Sequence, residues 1–425
     1  MFAIRKVEIS DKQHKVLNIC LSDTNLKKLS SCNYTTLILG ENGVGKSFLL
    51  KSIIDIFCFL ESAQDSNRKR KPRYQYESFC IEYQLGDDTY IVHRISGSQI
   101  IAYKNGTDID YKEIVLPQKV LAISFMVNDK FQFSKDEDDG IYTYHGVRSS
   151  TNSTYTSSIT RNIIFDLIHC IEKGLTSQVM EIFSILQFDS TLEFQWKIDN
   201  KIDKEVIDLR VNSLQLTNKY QLNKWVYPTI FFYKNGKKIP FESCSSGEKH
   251  ILFAYIGILS RISNNTLILI DEPEISLHPE WQLRYVSTIS KLFDKYKNCC
   301  FILASHSHYF VSELKGDSST IVVLKKDLDS SAPIAEIIPF DTYSWSAENI
   351  IYNVFGIRTS RNFYFEGDLS YLLNSLELFD GSEEKRDSIQ AQINKLQKYV
   401  FNTNDPLYII LRTVSYTHLR AHETA

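Results

Sequence analysis

The sequence predicts an α/β protein built on a mixed central sheet, and three observations carry that prediction. A glycine-rich turn of the form GxxxxGKS, Gly40 to Ser47, stands between an apolar strand and a helix. The apolar run Leu267 to Ile270 ends abruptly in two carboxylates and a proline, Asp271-Glu272-Pro273. From Gly247 onward the pattern alternates helix, strand, helix, strand, as in a doubly wound sheet.

Bulk properties narrow the class. A chain of 425 residues can form one large domain or two to three smaller ones. With 43% hydrophobic and 23% charged residues it has the composition of an ordinary globular protein. A net charge of -3 and a pI near 6.4 exclude a uniformly basic nucleic-acid coat while leaving room for a local basic groove. The opening MFAIRKVEIS has no secretory pattern, and the longest apolar runs are far too short to span a bilayer, so no membrane is expected. The eight cysteines are scattered without a CxxC pair, which argues against zinc and for a reducing, cytoplasmic setting.

The elements follow in order. Phe2–Ile9, Lys15–Leu21 and Tyr34–Leu39 alternate as strands, and a helix is expected from Lys46 to about Leu60, so 1–60 is the first part of the core. Polar residues 61–75 form a loop, and turn signals at Gly86-Asp87-Asp88, Gly97-Ser98 and Asn105-Gly106 predict an antiparallel β-subdomain over 61–127. Lys119–Val127 returns to the core as a single strand. Residues 128–240 are expected to hold a mobile Ser/Thr-rich loop and a helical, partly mixed insertion, with helix over 161–187. The second part of the core spans 241–340 and a helical segment 341–413. The tail 414–425 resembles a translated sequencing adapter and is set aside; the natural C-terminus is expected to be missing.

The chemistry concentrates in four places. In Gly40-Glu41-Asn42-Gly43-Val44-Gly45-Lys46-Ser47 the glycines let backbone N–H groups approach phosphates, and the helix start adds its positive dipole end. Lys46 can reach the β/γ phosphates of ATP, and the Ser47 hydroxyl can ligate Mg²⁺. A chance match in this length is on the order of one percent, so an incidental glycine-rich turn is a poor bet. Asp271 would hold magnesium through water, and Glu272 would orient or deprotonate an attacking water. Alone, that strand end is weak evidence, but following a phosphate loop it is strong.

The third place, Cys244-Ser245-Ser246-Gly247-Glu248, opens an apolar helix. Taken alone it is a capping box between Ser245 and Glu248. It also resembles the ABC signature motif, with Ser245 and the Gly247 N–H offered to nucleotide and Ser246 in place of the usual glycine. The fourth is His306, which follows the apolar strand Cys299–Ala304 and matches the histidine that contacts the γ-phosphate in ABC proteins; His308 is read as structural. Ser276-Leu277-His278-Pro279 resembles the loop that crosses the ABC dimer interface. The glutamine such proteins place after the strand ending near Val127 has only Gln132 as a candidate.

On these motifs the chain resembles an ABC-type P-loop NTPase with an antiparallel β-subdomain, mixed central sheet and helical insertion. The long stretch between Ser47 and Cys244 is unlike transporter ATPases, and it lacks the coiled coil of chromosome-maintenance relatives. It is similar to the compact RecF- and OLD-like "AAA family" group, nearest to Septu PtuA-type anti-phage ATPases, on Ser344–Glu366 and Asn404-Asp405-Pro406-Leu407. The resemblance implies an ATPase working as a homodimer or higher even oligomer that switches an effector, an HNH-type nuclease. An OLD-like ATP-gated nuclease and a RecF-like repair ATPase are the alternatives. For the first, Phe365-Glu366-Gly367-Asp368 faintly resembles the start of a TOPRIM nuclease. The basic run Arg68-Lys69-Arg70-Lys71-Pro72-Arg73 leaves DNA contact open, although such runs are usually solvated loops. His418 and His422 have zinc-like spacing but lie in the discounted tail.

Overall fold

The computed structural model describes the chain apart from residues 12–13, 23–32, 66–73, 96–98, 127, 135–139, 151–152, 155, 199–200, 212–228, 328–331, 340–341, 344, 356–362, 401–406 and 414–425. The basic run 68–73, Asn404 to Pro406, His418 and His422 therefore lie outside the described residues. The chain divides into two units, Met1–Ile350 and Ile351–Ala425.

In the first unit β1 (Phe2–Asp11) and β2 (His14–Cys20) pair antiparallel and lead to β3 (Tyr34–Gly40) and helix α1 (Lys46–Gln64). Four strands follow, β4 (Ser78–Leu85), β5 (Asp88–Ile95), β6 (Gln99–Lys104) and β7 (Thr107–Ile109). They join β1 and β2 in an antiparallel sheet of order β2-β1-β4-β5-β6-β7. The β6–β7 turn is Asn105-Gly106 with φ of 52° and 81°, the left-handed pair that a two-residue hairpin needs.

Strand β8 (Lys119–Ser124) enters the central sheet and ends three residues earlier than the apolar run suggests. Next comes β9 (Tyr142–Gly146), inside the stretch expected to be mobile. It pairs in parallel with β8 because Tyr142, Tyr144 and His145 supply buried surface that its polar neighbours conceal. The short ribbon β10 (Arg148–Ser150) and β11 (Ser153–Thr154) precedes helices α2 (Thr156–Glu172) and α3 (Thr176–Ile185). Then β12 (Thr191–Ile198), β13 (Lys201–Asp208), β14 (Thr229–Lys234) and β15 (Lys237–Pro240) form a separate antiparallel sheet of order β13-β12-β14-β15. The region before the signature is thus part helix, part sheet.

Helix α4 (Ser246–Ile251), a π-helical turn (Leu252–Ile256) and α5 (Gly257–Arg261) run continuously into β16 (Thr266–Asp271). After α6 (Pro279–Leu292), strands β17 (Cys300–Ser305), β18 (Ser319–Lys325) and β19 (Ile334–Ile337) complete the central sheet of order β19-β18-β3-β17-β16-β8-β9. Only β19 is antiparallel to its neighbour. Every residue of β16 and β17 is buried, which is why both read as unbroken apolar runs rather than alternating ones. Helix α1 lies between the two large sheets. Its Ile53, Phe57 and Leu60 share one core with Ile81, Tyr83 and Val92 of the antiparallel sheet and Ile38, Leu269 and Ile302 of the central one. Each such side chain contributes about 1.5–3 kcal/mol by leaving water. That core packs α1 against both sheets.

Helix α7 (Ala347–Asn353) precedes the second unit's α8 (Phe363–Glu377), α9 (Glu383–Gln397) and a helical stretch over 407–413. Phe365, Leu372, Ile389, Ile393, Leu396 and Leu411 form its small core. Phe365-Glu366-Gly367-Asp368 lies within α8, with Asp368 paired to Lys395 at 2.7 Å, so it does not end a strand as a TOPRIM-type start would.

Candidate nucleotide site

Residues 40 to 47 join the end of β3 to the first turn of α1. Gly40 has φ 156°, and a Cβ there would lie 2.6 Å from the Leu324 carbonyl oxygen of β18, so only glycine lets the two strands approach. Gly45, with φ 108°, makes the left-handed bend into α1. Within this frame the Lys46 ammonium donates to the carbonyls of Gly40 at 2.9 Å and Glu41 at 3.3 Å. It is 5% exposed, and burial lowers its pKa against the raising effect of Glu272, Glu274 and Asp271. A polyanion would restore what burial removes.

Parallel register places β16 and β17 beside β3, so their C-terminal ends converge on Lys46. The Ser47 hydroxyl donates to Asp271 Oδ1 at 3.1 Å. Asp271 is 2% exposed, and burial pushes its carboxyl up to about 6. Glu272 follows with φ 52°, a left-handed backbone uncommon for a non-glycine residue, and its N–H donates to Ala304 on β17 at 2.8 Å. That turn aims its carboxylate at His306, whose Nε2 is 3.1 Å from Glu272 Oε1 and 2.6 Å from Lys46 Nζ. The contact with His306 holds the Glu272 pKa below its usual value. One ring nitrogen can accept from Lys46 or donate to Glu272, but not both at once. The imidazole is therefore a two-way contact between cation and carboxylate.

Ser245 caps α4 in a capping box with Glu248, donating none of its side-chain capacity to Lys46 or Ser47 of its own chain. Ser245 and Ser246 are exposed, whereas Gly247 is packed: a Cβ there would lie 2.6 Å from the Trp281 ring and 2.9 Å from the Ser276 carbonyl oxygen. The structure thus joins Lys46, Ser47, Asp271, Glu272 and His306, and ties Gly247 to the loop 276–279 instead. His278 caps α6, accepting from the Glu280 N–H at 3.3 Å. Gln132 donates to Asp55 Oδ1 at 2.6 Å on α1, about two helical turns beyond Ser47, rather than reaching the phosphate loop.

Two groups escape sequence reasoning. Glu274 accepts the His306 backbone N–H, and burial raises its pKa; the only signal was a third acid in DEPE. His145, fully buried, donates from Nε2 to the Phe253 carbonyl at 3.0 Å inside the π-helical turn. Its ring occupies the space that Gly257 leaves open, since a Cβ there would lie 2.2 Å from Nε2. Asp166 of α2, 3.7 Å from His145 Nδ1, also accepts from Arg261 at 2.6 Å and from Ser260 at 3.1 Å. Together these groups link the signature helix, the insertion and the sheet edge.

Residues 181–312 match the family described as "AAA domain, putative AbiEii toxin, Type IV TA system". That span contains Gly247, Asp271, Glu272 and His306 but not Lys46. The Septu protein PtuA of Bacillus thuringiensis is 21% identical over 91% of this chain and 93% of its own length. The retron Vc95 probable ATPase of Vibrio cholerae serotype O1 biovar El Tor is 21% identical over 74% of each chain. The Septu protein PtuA of Bacillus mycoides is 22% identical over 93% of this chain and half of its own length, 50%. Among solved structures, an Smc head bound to the C-terminal winged-helix domain of ScpA covers 79% of this chain and 98% of its own, with 15% identity and a TM-score of 0.41.

Proposed function

We propose that this chain, an AAA-family ATPase of the ABC type, binds ATP with Mg²⁺ and hydrolyses it in a head-to-tail dimer. The observation that carries the reading is the meeting of Lys46, Glu272 and His306 within 3.1 Å contacts at the C-terminal edge of the central sheet.

Ser47 and Asp271 present two hard oxygen donors 3.1 Å apart, a donor set that fits Mg²⁺. Bound there with ATP, magnesium would neutralise charge building on the β and γ phosphates. The loop N–H groups and Lys46 hold the phosphates, and binding them draws Lys46 from the carbonyls of Gly40 and Glu41. Glu272, kept ionised by His306, accepts a proton from the attacking water, and His306 steadies the γ-phosphate. The exposed Ser245 and Ser246 reach nucleotide held by the second chain, closing the site from across the dimer.

Closure or turnover would then bias an effector by the difference in its affinity for the open and closed forms. By the PtuA likeness we place that effector in a separate HNH-type nuclease and the pair in anti-phage defence in the cytoplasm. No helix among the described residues is long and apolar enough to cross a membrane. The self-contained nuclease reading loses support because the FEGD segment is helical.

The composite site is tested by mixing two inactive chains, Lys46→Ala and Ser246→Arg. Ser246 is exposed, so the arginine blocks the neighbour without disturbing the core. The mixed dimer keeps one intact site, and ATPase activity should partly return. No recovery despite proven heterodimers would place each site within one chain.

A further inference from the structure

After Pro273 the chain turns back on itself, with the Ile275 N–H donating to Glu272 at 3.2 Å and the Leu277 N–H donating to Glu274 at 3.0 Å. This double turn points the Glu274 side chain inward, and its Oε2 is sealed from solvent. Oε1 accepts the backbone N–H of His306 at 2.5 Å. That N–H is the first one past the end of β17, where the sheet ladder no longer holds the chain. Whatever grips it sets where the imidazole begins. The ring is closely flanked there, with Nε2 2.6 Å from Lys46 and 3.1 Å from Glu272 and Nδ1 3.3 Å from Lys46.

We propose that Glu274 is the positioning residue of this site, gripping the backbone of His306 so that its imidazole stands between Lys46 and Glu272. The inference rests on the nucleotide reading above. Glu274 does not contact the nucleotide; its effect passes through His306. It also lies within electrostatic reach of Lys46, so it belongs to the same cluster. Were the sealed carboxylate only satisfying a loose N–H at a strand end, its loss would weaken the fold without touching turnover selectively.

A double-mutant cycle separates the two. Turnover at saturating Mg-ATP, affinity for a fluorescent ATP analogue and the melting temperature are measured for wild type, Glu274→Ala, His306→Ala and the double variant. Glu274→Ala should lower kcat about tenfold, the order expected of one lost charge-assisted hydrogen bond. Analogue affinity should stay within about threefold, and in the His306→Ala background the same change should cost nothing further, because the group it positions is gone. Glu274→Gln, which keeps an acceptor oxygen at the same reach, should recover most of the loss. If Glu274→Ala does not fold, Glu274→Asp carries the same test, being one methylene too short for the His306 N–H. An equal loss with and without His306, or weakened binding with kcat intact, would overturn the proposal. A wild-type protein without turnover would instead refute the hydrolysis reading, and this inference with it, from the wild-type arm alone.

Discussion

Gly257→Ala is a severe change well away from the candidate nucleotide site. Its new Cβ would lie 2.2 Å from His145 Nε2 and 2.5 Å from Cδ2, distances no pair of atoms tolerates, so the buried ring must leave. Overpacking of this kind costs about 1–3 kcal/mol. Expelling the ring also strips the Phe253 carbonyl of the 3.0 Å bond it accepts, leaving a buried acceptor at a cost of about 1–3 kcal/mol. Alanine's better helix propensity returns up to about 1 kcal/mol. The net loss is about 2–4 kcal/mol. His145→Ala alone should cost a similar amount through the cavity and the same orphaned carbonyl. The two together should cost little more than His145→Ala, because the alanine methyl enters space the ring has vacated. Urea unfolding of all four proteins measures this, and the coupling should be about 2–4 kcal/mol. Additive losses, within about 0.5 kcal/mol, would show that His145 does not wedge the signature helix.

Three further outcomes follow from the site and the buried histidines. Lys46→Ala should abolish tight binding of a fluorescent ATP analogue in equilibrium titration; unchanged affinity would remove the phosphate-loop assignment. Glu272→Gln should still bind ATP while phosphate release falls at least about 100-fold, the range of a lost general base, and near-normal turnover would point to another base. His145 is held neutral by burial and by Arg261, and burial lowers His250, stacked on Phe125, to about 3. Both folded values lie below the unfolded one, so the unfolded chain takes up protons first. Stability should be unaffected above about pH 6.5 and fall below it by up to about 1.4 kcal/mol per pH unit for each histidine. Melting curves from pH 8 to pH 5 check this, and His250→Leu should flatten the slope.

The candidate nucleotide residues are legible because their signals are local. Gly40 to Ser47 and Leu267 to Pro273 are short patterns whose neighbours in sequence also determine their geometry. The parallel strands β16 and β17 stood out as apolar runs for the same reason, being buried on both faces. What stayed hidden depends on partners far along the chain. His145 looks like a polar residue in a Ser/Thr-rich loop until Phe253 and Gly257 surround it. The sheet β12 to β15 joins strands far apart in sequence, with β14 beside β12 rather than β13, so its partners cannot be recognised from local alternation. Gln132 is only a candidate by position, and in the structure it joins the polar pair Lys51 and Asp55 on one face of α1. Glu274 does not stand out in the sequence because a third acid, set past Pro273, carries no periodicity of its own.

The left-handed backbone at Glu272 bears on how such a protein decays. Holding a non-glycine residue there costs about 1–2 kcal/mol, and glycine or asparagine would sit more comfortably. Glycine is one base change away from glutamate in the genetic code. In a lineage where turnover stops mattering, nothing opposes that drift, and the local strain favours it. On the mechanism proposed above, the descendant would keep Lys46, Ser47 and its folded core while losing the carboxylate assigned to water. If the proposed dimer holds, pairing with an intact sister chain would give mixed dimers that hold nucleotide on one side without releasing it. A duplicated copy of such a dimeric ATPase would therefore find a dominant brake within a single substitution.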